Sequence, residues 1–98
     1  MVKDKEYKVP VNEERVKEIA EKYRTEWFTD YKKMLKEISP DAVSVVVPTS
    51  LHKIVTIDSL NAGCNVLVEK PIASTLEEGK EMIKKAREED LKLTVGHI

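Results

Sequence analysis

The stretch CNVLVEKPIAST, from Cys64 to Thr75, contains the transition that decides the fold. The apolar residues in its first half indicate a short strand over 65–68, and Thr75 with Glu78 forms a capping box that starts a helix. Between them stand Glu69, Lys70 and Pro71, a charged pair and a proline directly after the strand. Because burying an unpaired charge is costly, this pair must face solvent, a protein partner or a ligand.

Strand and helix patterns alternate on both sides of this stretch. Residues 42–47 form a β-branched run without polar alternation, typical of a strand buried on both faces. Helices are predicted over 51–61, ending at Gly63, and over 76–89, and a last strand over 91–95. This order predicts an α/β fold, a Rossmann-like parallel sheet with right-handed crossovers and helices on both faces.

Two amphipathic helices are predicted before the sheet. The first covers residues 12–24 with Asn12 as its N-cap, and the second covers 30–38, capped by Thr29 or Asp30. In the helix over 76–89, apolar spacing predicts an inner face in which one residue is a glycine that allows close approach to the sheet. The members of that face are Leu76, Gly79, Ile83 and Ala86.

Parallel sheets bind ligands beyond the carboxyl ends of their strands. The segments at those ends are Pro48-Thr49-Ser50, Glu69-Lys70-Pro71 and Gly96-His97. The charged pair of the opening stretch therefore lies where a binding crevice is expected.

Composition limits the classes of function. The 98 residues fit one small domain, and 17 basic residues nearly cancel 18 acidic ones, so a nucleic-acid partner is not expected. A single cysteine excludes an internal disulfide and a cysteine-rich metal site, and no apolar run is long enough for a secretion signal or a membrane span. We expect a cytoplasmic protein, and the abundance of Lys and Glu suggests a thermophilic source.

The sequence resembles the glucose-fructose oxidoreductase / inositol dehydrogenase (Gfo/Idh/MocA) family of NAD(P)-dependent oxidoreductases. The resemblance runs from about Val11 to the last residue and rests on an ordered set of segments, of which EKP after an apolar strand is the most specific. The segments are DAVSVVVPTSLH at 41–52, LNAG at 60–63, NVLVEKPIAST at 65–75, EEGKEMIKKAREE at 77–89 and LKLTVGH at 91–97.

The resemblance implies a cofactor, NAD or NADP, and a role for each residue at the strand ends. Lys70 would lie beside the nicotinamide and polarise or protonate the substrate oxygen, a task suited to a partly desolvated lysine. Glu69 would hold Lys70 or contact the cofactor ribose, and Pro71 would fix the turn, for which a cis peptide bond is one means. The segment containing Pro48, Thr49 and His52 matches the family's TPxxxH loop along the cofactor, with Val47 in place of the threonine.

The sequence also departs from the family pattern. Its three glycines are Gly63, Gly79 and Gly96, so it contains no GxGxxG turn for the pyrophosphate. Pro10 stands where the ribose-binding acid is expected, and the substrate domain with the family's catalytic histidine and aspartate is missing. Residues 1–98 are therefore expected to form a single truncated NAD(P)-binding Rossmann-like domain.

In the family's strand order, 3-2-1-4-5-6, the strand that is missing here lies beside the strand over 42–47. Its loss leaves an unpaired edge, and Pro10 argues against filling that edge with residues 7–11. We expect a homodimer or higher homo-oligomer that pairs through this edge.

Three classes of function are compatible with these features. The first is a partial oxidoreductase domain that is inactive as a dehydrogenase alone. The second is a non-catalytic oligomerisation or binding module that retains the α/β frame. The third, a small enzyme that uses Lys70 for other chemistry, has the least support because no second acid or base is placed beside it.

Overall fold

The computed structural model of the chain describes residues 12–96. Predictions that concern residues 1–11 and His97 therefore lie outside the described residues. Within residues 12–96 the chain forms four α-helices, three β-strands and a short 3₁₀ turn. In chain order these are α1 Glu13–Tyr23, α2 Tyr31–Ile38, β1 Ala42–Val45, the 3₁₀ turn Thr49–Leu51, α3 His52–Asn61, β2 Asn65–Glu69, α4 Leu76–Glu88 and β3 Leu93–Gly96.

The three strands form one parallel sheet in the order β1-β2-β3. Val68, near the end of β2, lies opposite Val45 of β1 and Val95 of β3. At the carboxyl end of the sheet, Glu69 lies opposite Gly96. The predicted Rossmann-like α/β class with a parallel sheet is confirmed.

The core lies on one face of this sheet. Helices α3 and α4 pack there together, because two crossovers of the same hand that step in the same direction across a sheet leave their helices on the same side. Each helix contributes two buried apolar residues to the cluster. The buried members are Val45, Val55, Leu60, Val66, Val68, Met82 and Ala86.

The opposite face of β1 is open in the described part of the chain. Ala42 and Ser44 are exposed, and Val46, just beyond the strand, is 56% exposed. The prediction of a strand over 42–47 buried on both faces was therefore wrong in length and in burial. The helices α3 and α4 cover only the face that carries Val45, so the β-branched run reflects strand propensity more than two-sided burial.

The helix starts follow the expected capping chemistry. The side chains of Asn12, Asp30 and Thr75 accept hydrogen bonds from main-chain N–H groups of the helix they begin, at 3.0, 3.0 and 3.2 Å. Of the two caps considered for α2, Asp30 is the one used. One hydrogen bond of the predicted capping box is confirmed, the one from the main-chain N–H of Glu78 to the side chain of Thr75.

The inner face of α4 differs from the prediction by a rotation of the helix. Gly79 and Ala86 are buried as expected, but Met82 is fully buried while Leu76 is 68% and Ile83 is 43% exposed. Both patterns have the three- and four-residue spacing of a helix face, and Met82 and Ile83 are adjacent apolar residues. Spacing alone therefore does not decide which one faces the sheet.

No helix within residues 12–96 combines the length and the apolar character needed to cross a membrane.

Candidate functional site at the carboxyl edge of the sheet

The three strand ends bring the predicted site segments to one side of the sheet. We use the name carboxyl edge for residues 46–52 after β1, residues 69–72 at the end of β2, and Gly96 at the end of β3. The main-chain N–H of Lys70 donates to the carbonyl oxygen of Gly96 at 3.2 Å. The Glu69-Lys70-Pro71 turn thus lies directly beside the end of β3. The Lys70–Pro71 peptide bond is cis.

The segment after β1 leads directly into α3. Leu51 donates its main-chain N–H to the carbonyl oxygen of Pro48 at 2.8 Å, which closes the 3₁₀ turn, and His52 is the first residue of α3. Pro48 is exposed and Thr49 is half-buried. Because α3 begins here, the positive end of its dipole lies at the carboxyl edge.

His52 joins the two loops of the edge. Its side chain is buried, with only 2% exposed. Nδ1 lies 2.8 Å from the carbonyl oxygen of Pro71, and Nε2 lies 2.9 Å from the carbonyl oxygen of Val47. The sequence placed His52 at the edge, whereas the structure adds that both ring nitrogens face main-chain acceptors.

The sequence has no clear signal for the burial of His52, because three of the five buried residues of α3 are polar. The buried residues of α3 form a stripe with helical spacing, and His52 is its first member. The stripe consists of His52, Val55, Thr56, Ser59 and Leu60.

The charged residues of the edge differ in exposure. Lys70 and Pro71 are exposed, and Glu69 is half-buried. Of the two roles implied for Glu69, holding Lys70 is not observed, since no ion pair joins these two side chains within the described residues. Residues 12–96 leave Lys70 in solvent, whereas the resemblance implies that this lysine is partly desolvated.

Cys64 lies away from this edge. It precedes β2 at the amino end of the strand and is fully buried. Burial, together with the nearby Asp41 carboxylate, raises the pKa of the Cys64 thiol. A buried thiol with a raised pKa is a poor nucleophile, in agreement with its interpretation as a small core residue.

With this geometry in place, comparison with known proteins decides the family. Residues 9–97 match the GFO_IDH_MocA family, described as an oxidoreductase family with an NAD-binding Rossmann fold. The chain belongs to this family. The resemblance drawn from the EKP turn and the segments around it is therefore confirmed.

Individual members of the family give the same result. A UDP-N-acetylglucosamine 3-dehydrogenase from Acidithiobacillus ferrooxidans is 40% identical over 87 residues, which are 89% of this chain and 27% of that protein. The crystal structure of a probable dehydrogenase from Thermotoga maritima matches with a TM-score of 0.83 and 30% identity over 89% of this chain and 27% of that chain. The WlbA dehydrogenase from Bordetella pertussis, in complex with NADH and UDP-GlcNAcA, matches with a TM-score of 0.81 and 31% identity over 86% of this chain and 24% of that chain.

The chain spans about a quarter of the length of these Gfo/Idh/MocA relatives. The expected nicotinamide cofactor is confirmed for the family, by its NAD-binding fold and by the NADH in the WlbA structure. The residues of the carboxyl edge fit one part of such a cofactor, because they place a lysine, a carboxylate and a hydroxyl at the ends of parallel strands. They do not fit the pyrophosphate, since the sequence has no glycine-rich turn.

Proposed function

We propose that this chain forms part of an NAD(P)-binding domain of an oxidoreductase and that it is not active as a dehydrogenase alone. The observation that carries the proposal is the main-chain hydrogen bond from Lys70 to Gly96, because it lies at the ends of parallel strands, the edge of a sheet where dinucleotides bind. In this proposal residues 1–98 are one incomplete domain.

Each residue of the carboxyl edge has a role in the proposal. The nicotinamide, when bound, supplies or accepts the hydride. Lys70 is the catalytic residue, and its ammonium polarises or protonates the substrate oxygen. Pro48 and Thr49 belong to the wall along the cofactor, buried His52 supports the segment that carries them, Glu69 contacts the ribose, and Pro71 fixes the turn that carries Lys70.

The lack of activity alone follows from two features. The sequence offers no glycine-rich main chain to the pyrophosphate, and the described residues leave Lys70 in water. Water around an exposed ammonium competes with the substrate oxygen for its N–H groups, so the ammonium polarises a carbonyl weakly. A second polypeptide segment that covers this edge would supply main-chain N–H groups to the pyrophosphate and would exclude water from Lys70.

Calorimetric titration of the chain with NADH and NADPH tests the binding part of the proposal. We expect saturable binding with a Kd below about 1 mM, which corresponds to roughly 4 kcal/mol. Lys70→Met should weaken this binding, because it removes a positive charge beside an anionic ligand. Lys92→Met is the matched control, since Lys92 is also exposed but precedes β3 at the other end of the sheet.

Two results of this titration would contradict the proposal. One is the absence of binding at millimolar cofactor, and the other is an equal loss of affinity in both lysine variants. The activity part is tested by mixing the wild-type chain with NAD⁺ and a UDP-sugar and following NADH absorbance, for which we expect no turnover.

A second candidate function, self-association, is favoured by the outer side of β1. Within the described residues β1 pairs only with β2, so its other edge has free main-chain groups over Ala42–Val45, and Val46 beside it is 56% exposed. Such an edge is a template for pairing with another chain. We propose a homodimer or higher homo-oligomer through this edge, and light scattering after size-exclusion chromatography tests it. A monomer at micromolar concentration would contradict it.

We also propose a cytoplasmic location and a thermophilic source. The single cysteine, which is buried and free, supports a reducing compartment. The Lys- and Glu-rich composition, with pairs such as Lys85–Glu89 at 3.0 Å along α4, supports a protein adapted to high temperature.

A further inference from the structure

We propose that His52 is a positioning residue, which holds the Lys70–Pro71 turn against the start of α3 instead of touching the cofactor. The inference rests on the proposed function of the carboxyl edge. It begins from the burial of His52, which leaves 2% of the side chain exposed, and from the two carbonyl oxygens that face its ring.

The ring has no nitrogen left for a ligand. A carbonyl oxygen only accepts hydrogen bonds, so a ring nitrogen bonded to it must carry a hydrogen. With a hydrogen on Nδ1, the ring donates to the carbonyl of Pro71 at 2.8 Å. With its hydrogen on Nε2 instead, a neutral ring donates to the carbonyl of Val47 at 2.9 Å, and only a doubly protonated ring donates to both carbonyls. In either form both ring nitrogens point at main chain, away from any ligand outside the chain.

The bond to Pro71 matters because this turn has few donors of its own. Pro71 has no N–H, so the main chain at this position cannot anchor itself by donating. Lys70 is held on its amino side by its own N–H, which donates to Gly96 at 3.2 Å. On its carboxyl side the carbonyl of Pro71 lies 2.8 Å from Nδ1 of His52 and accepts from it in the tautomer that our proposal assigns, with the hydrogen on Nδ1. Lys70 therefore lies between two anchors, which fix its backbone while its side chain stays exposed.

The second ring nitrogen extends the link to β1. Since His52 begins α3, its ring connects that helix to the turn after β2 and to the segment after β1. One side chain thereby sets the spacing between the two loops that border the proposed cofactor crevice. A reacting lysine must be held to within a fraction of an ångström to be effective, so this spacing bears on the function proposed for Lys70.

Two conservative substitutions test the contact with Pro71 and the contact with Val47 one at a time. The side-chain NH₂ of His52→Asn falls near the position of Nδ1 and retains a donor for Pro71. That of His52→Gln falls near Nε2 and retains a donor for Val47. The readout is hydrogen exchange of the Lys70 amide by NMR in the cofactor-free chain, with the Val68 amide in the middle of the sheet as the reference for global stability.

We expect exchange of the Lys70 amide to accelerate at least about fivefold in His52→Gln relative to Val68, the effect of losing one hydrogen bond at the turn. In His52→Asn it should stay within about twofold of wild type. Equal acceleration in both variants, or in neither, would overturn the proposal. A role in packing alone predicts no such difference, because both substitutions remove the ring.

A further test uses only the wild-type protein, so it does not require either variant to fold. Nitrogen-15 spectra of the His52 ring report which nitrogens carry hydrogen. A hydrogen on Nδ1 supports the proposal, and an Nδ1 without one overturns it. None of these measurements uses cofactor, so a failure to bind NADH would refute the proposed function while leaving the His52 result to be judged separately.

Discussion

Lys70 lies one residue beyond the last register pair of the sheet, Glu69 with Gly96, and its main-chain N–H donates to the carbonyl oxygen of Gly96 across 3.2 Å. The pairing of β2 with β3 thus continues into the EKP turn. The position of Lys70 is therefore set by strand register, which a buried face specifies strongly, because a shift by one residue would turn Val66 and Val68 out of the core.

The core on that buried face predicts a large effect at Met82. We expect Met82→Ala to lower the free energy of unfolding by about 2–5 kcal/mol, because it removes a fully buried side chain that packs between α4 and the sheet. Urea denaturation followed by circular dichroism measures the change.

Ile83→Ala is the matched control for this substitution. Ile83 is the next residue of α4 and is 43% exposed, so its truncation should cost clearly less than that of Met82. The reverse order would mean that α4 is rotated as the apolar spacing had predicted.

The comparison of Met82 with Ile83 illustrates how far the sequence determined the fold. Turn and cap residues located the elements within a few positions, because capping at Asn12 and Thr75 depends on local chemistry. The rotation of α4 and the open face of β1 depend on what packs against them. Local pattern carries no information on that packing.

The cap of α4 should contribute measurably to stability. Thr75→Ala removes the side-chain oxygen that accepts from the main-chain N–H of Glu78 at 3.2 Å, and we expect a loss of about 0.5–2 kcal/mol. Ser74→Ala, at the preceding exposed hydroxyl, is the control and should change stability by less than about 0.5 kcal/mol. Thermal unfolding of the three proteins measures both, and equal effects would exclude a capping role for Thr75.

Gly79 should tolerate alanine, although we expected this glycine to let α4 approach the sheet closely. A Cβ at this position would lie 3.4 Å from Cγ2 of Ile72, an ordinary van der Waals contact with a side chain of the turn segment. Since alanine is favoured over glycine inside a helix, Gly79→Ala should raise stability by about 0.5–1 kcal/mol. Destabilisation by more than about 1 kcal/mol in urea unfolding would indicate packing tighter than the distance implies.

Tyr31 links the stability of the fold to alkaline pH. Burial raises the pKa of its hydroxyl, as do the hydrogen bond it donates to Asp58 and the negative charges of Asp58 and Asp30. The folded chain therefore keeps this proton at pH values where the unfolded chain, with a pKa near 10, releases it. The stabilising contribution is complete below about pH 10 and decreases as the pH rises above it.

The expected result is a stability difference between wild type and Tyr31→Phe that narrows as the pH increases beyond about 10. Urea unfolding at a series of pH values measures it. Tyr23→Phe, at a tyrosine that is 68% exposed, is the control. A constant difference between wild type and Tyr31→Phe across this range would contradict a raised pKa.

The site was predictable in its location and less so in its contacts. Strand ends and the EKP turn placed Glu69, Lys70 and the segment from Pro48 to His52 at one edge, because topology alone brings the carboxyl ends of parallel strands together. The contacts of His52 are with carbonyl groups, which every residue has, and the one with Pro71 joins positions 19 residues apart in sequence. No residue type marks such acceptors in advance.

Lys70 acts as proposed only if the carboxyl edge is the face that binds the cofactor. Amide chemical shifts of the ¹⁵N-labelled chain during titration with NADH test this directly, since the two ends of the sheet are reported separately. We predict saturable shifts at residues 48–52, 69–72 and 94–96, with residues 61–65 and 89–92 at the opposite end unmoved. Shifts centred on the opposite end, or no saturable shift at millimolar NADH, would contradict the account.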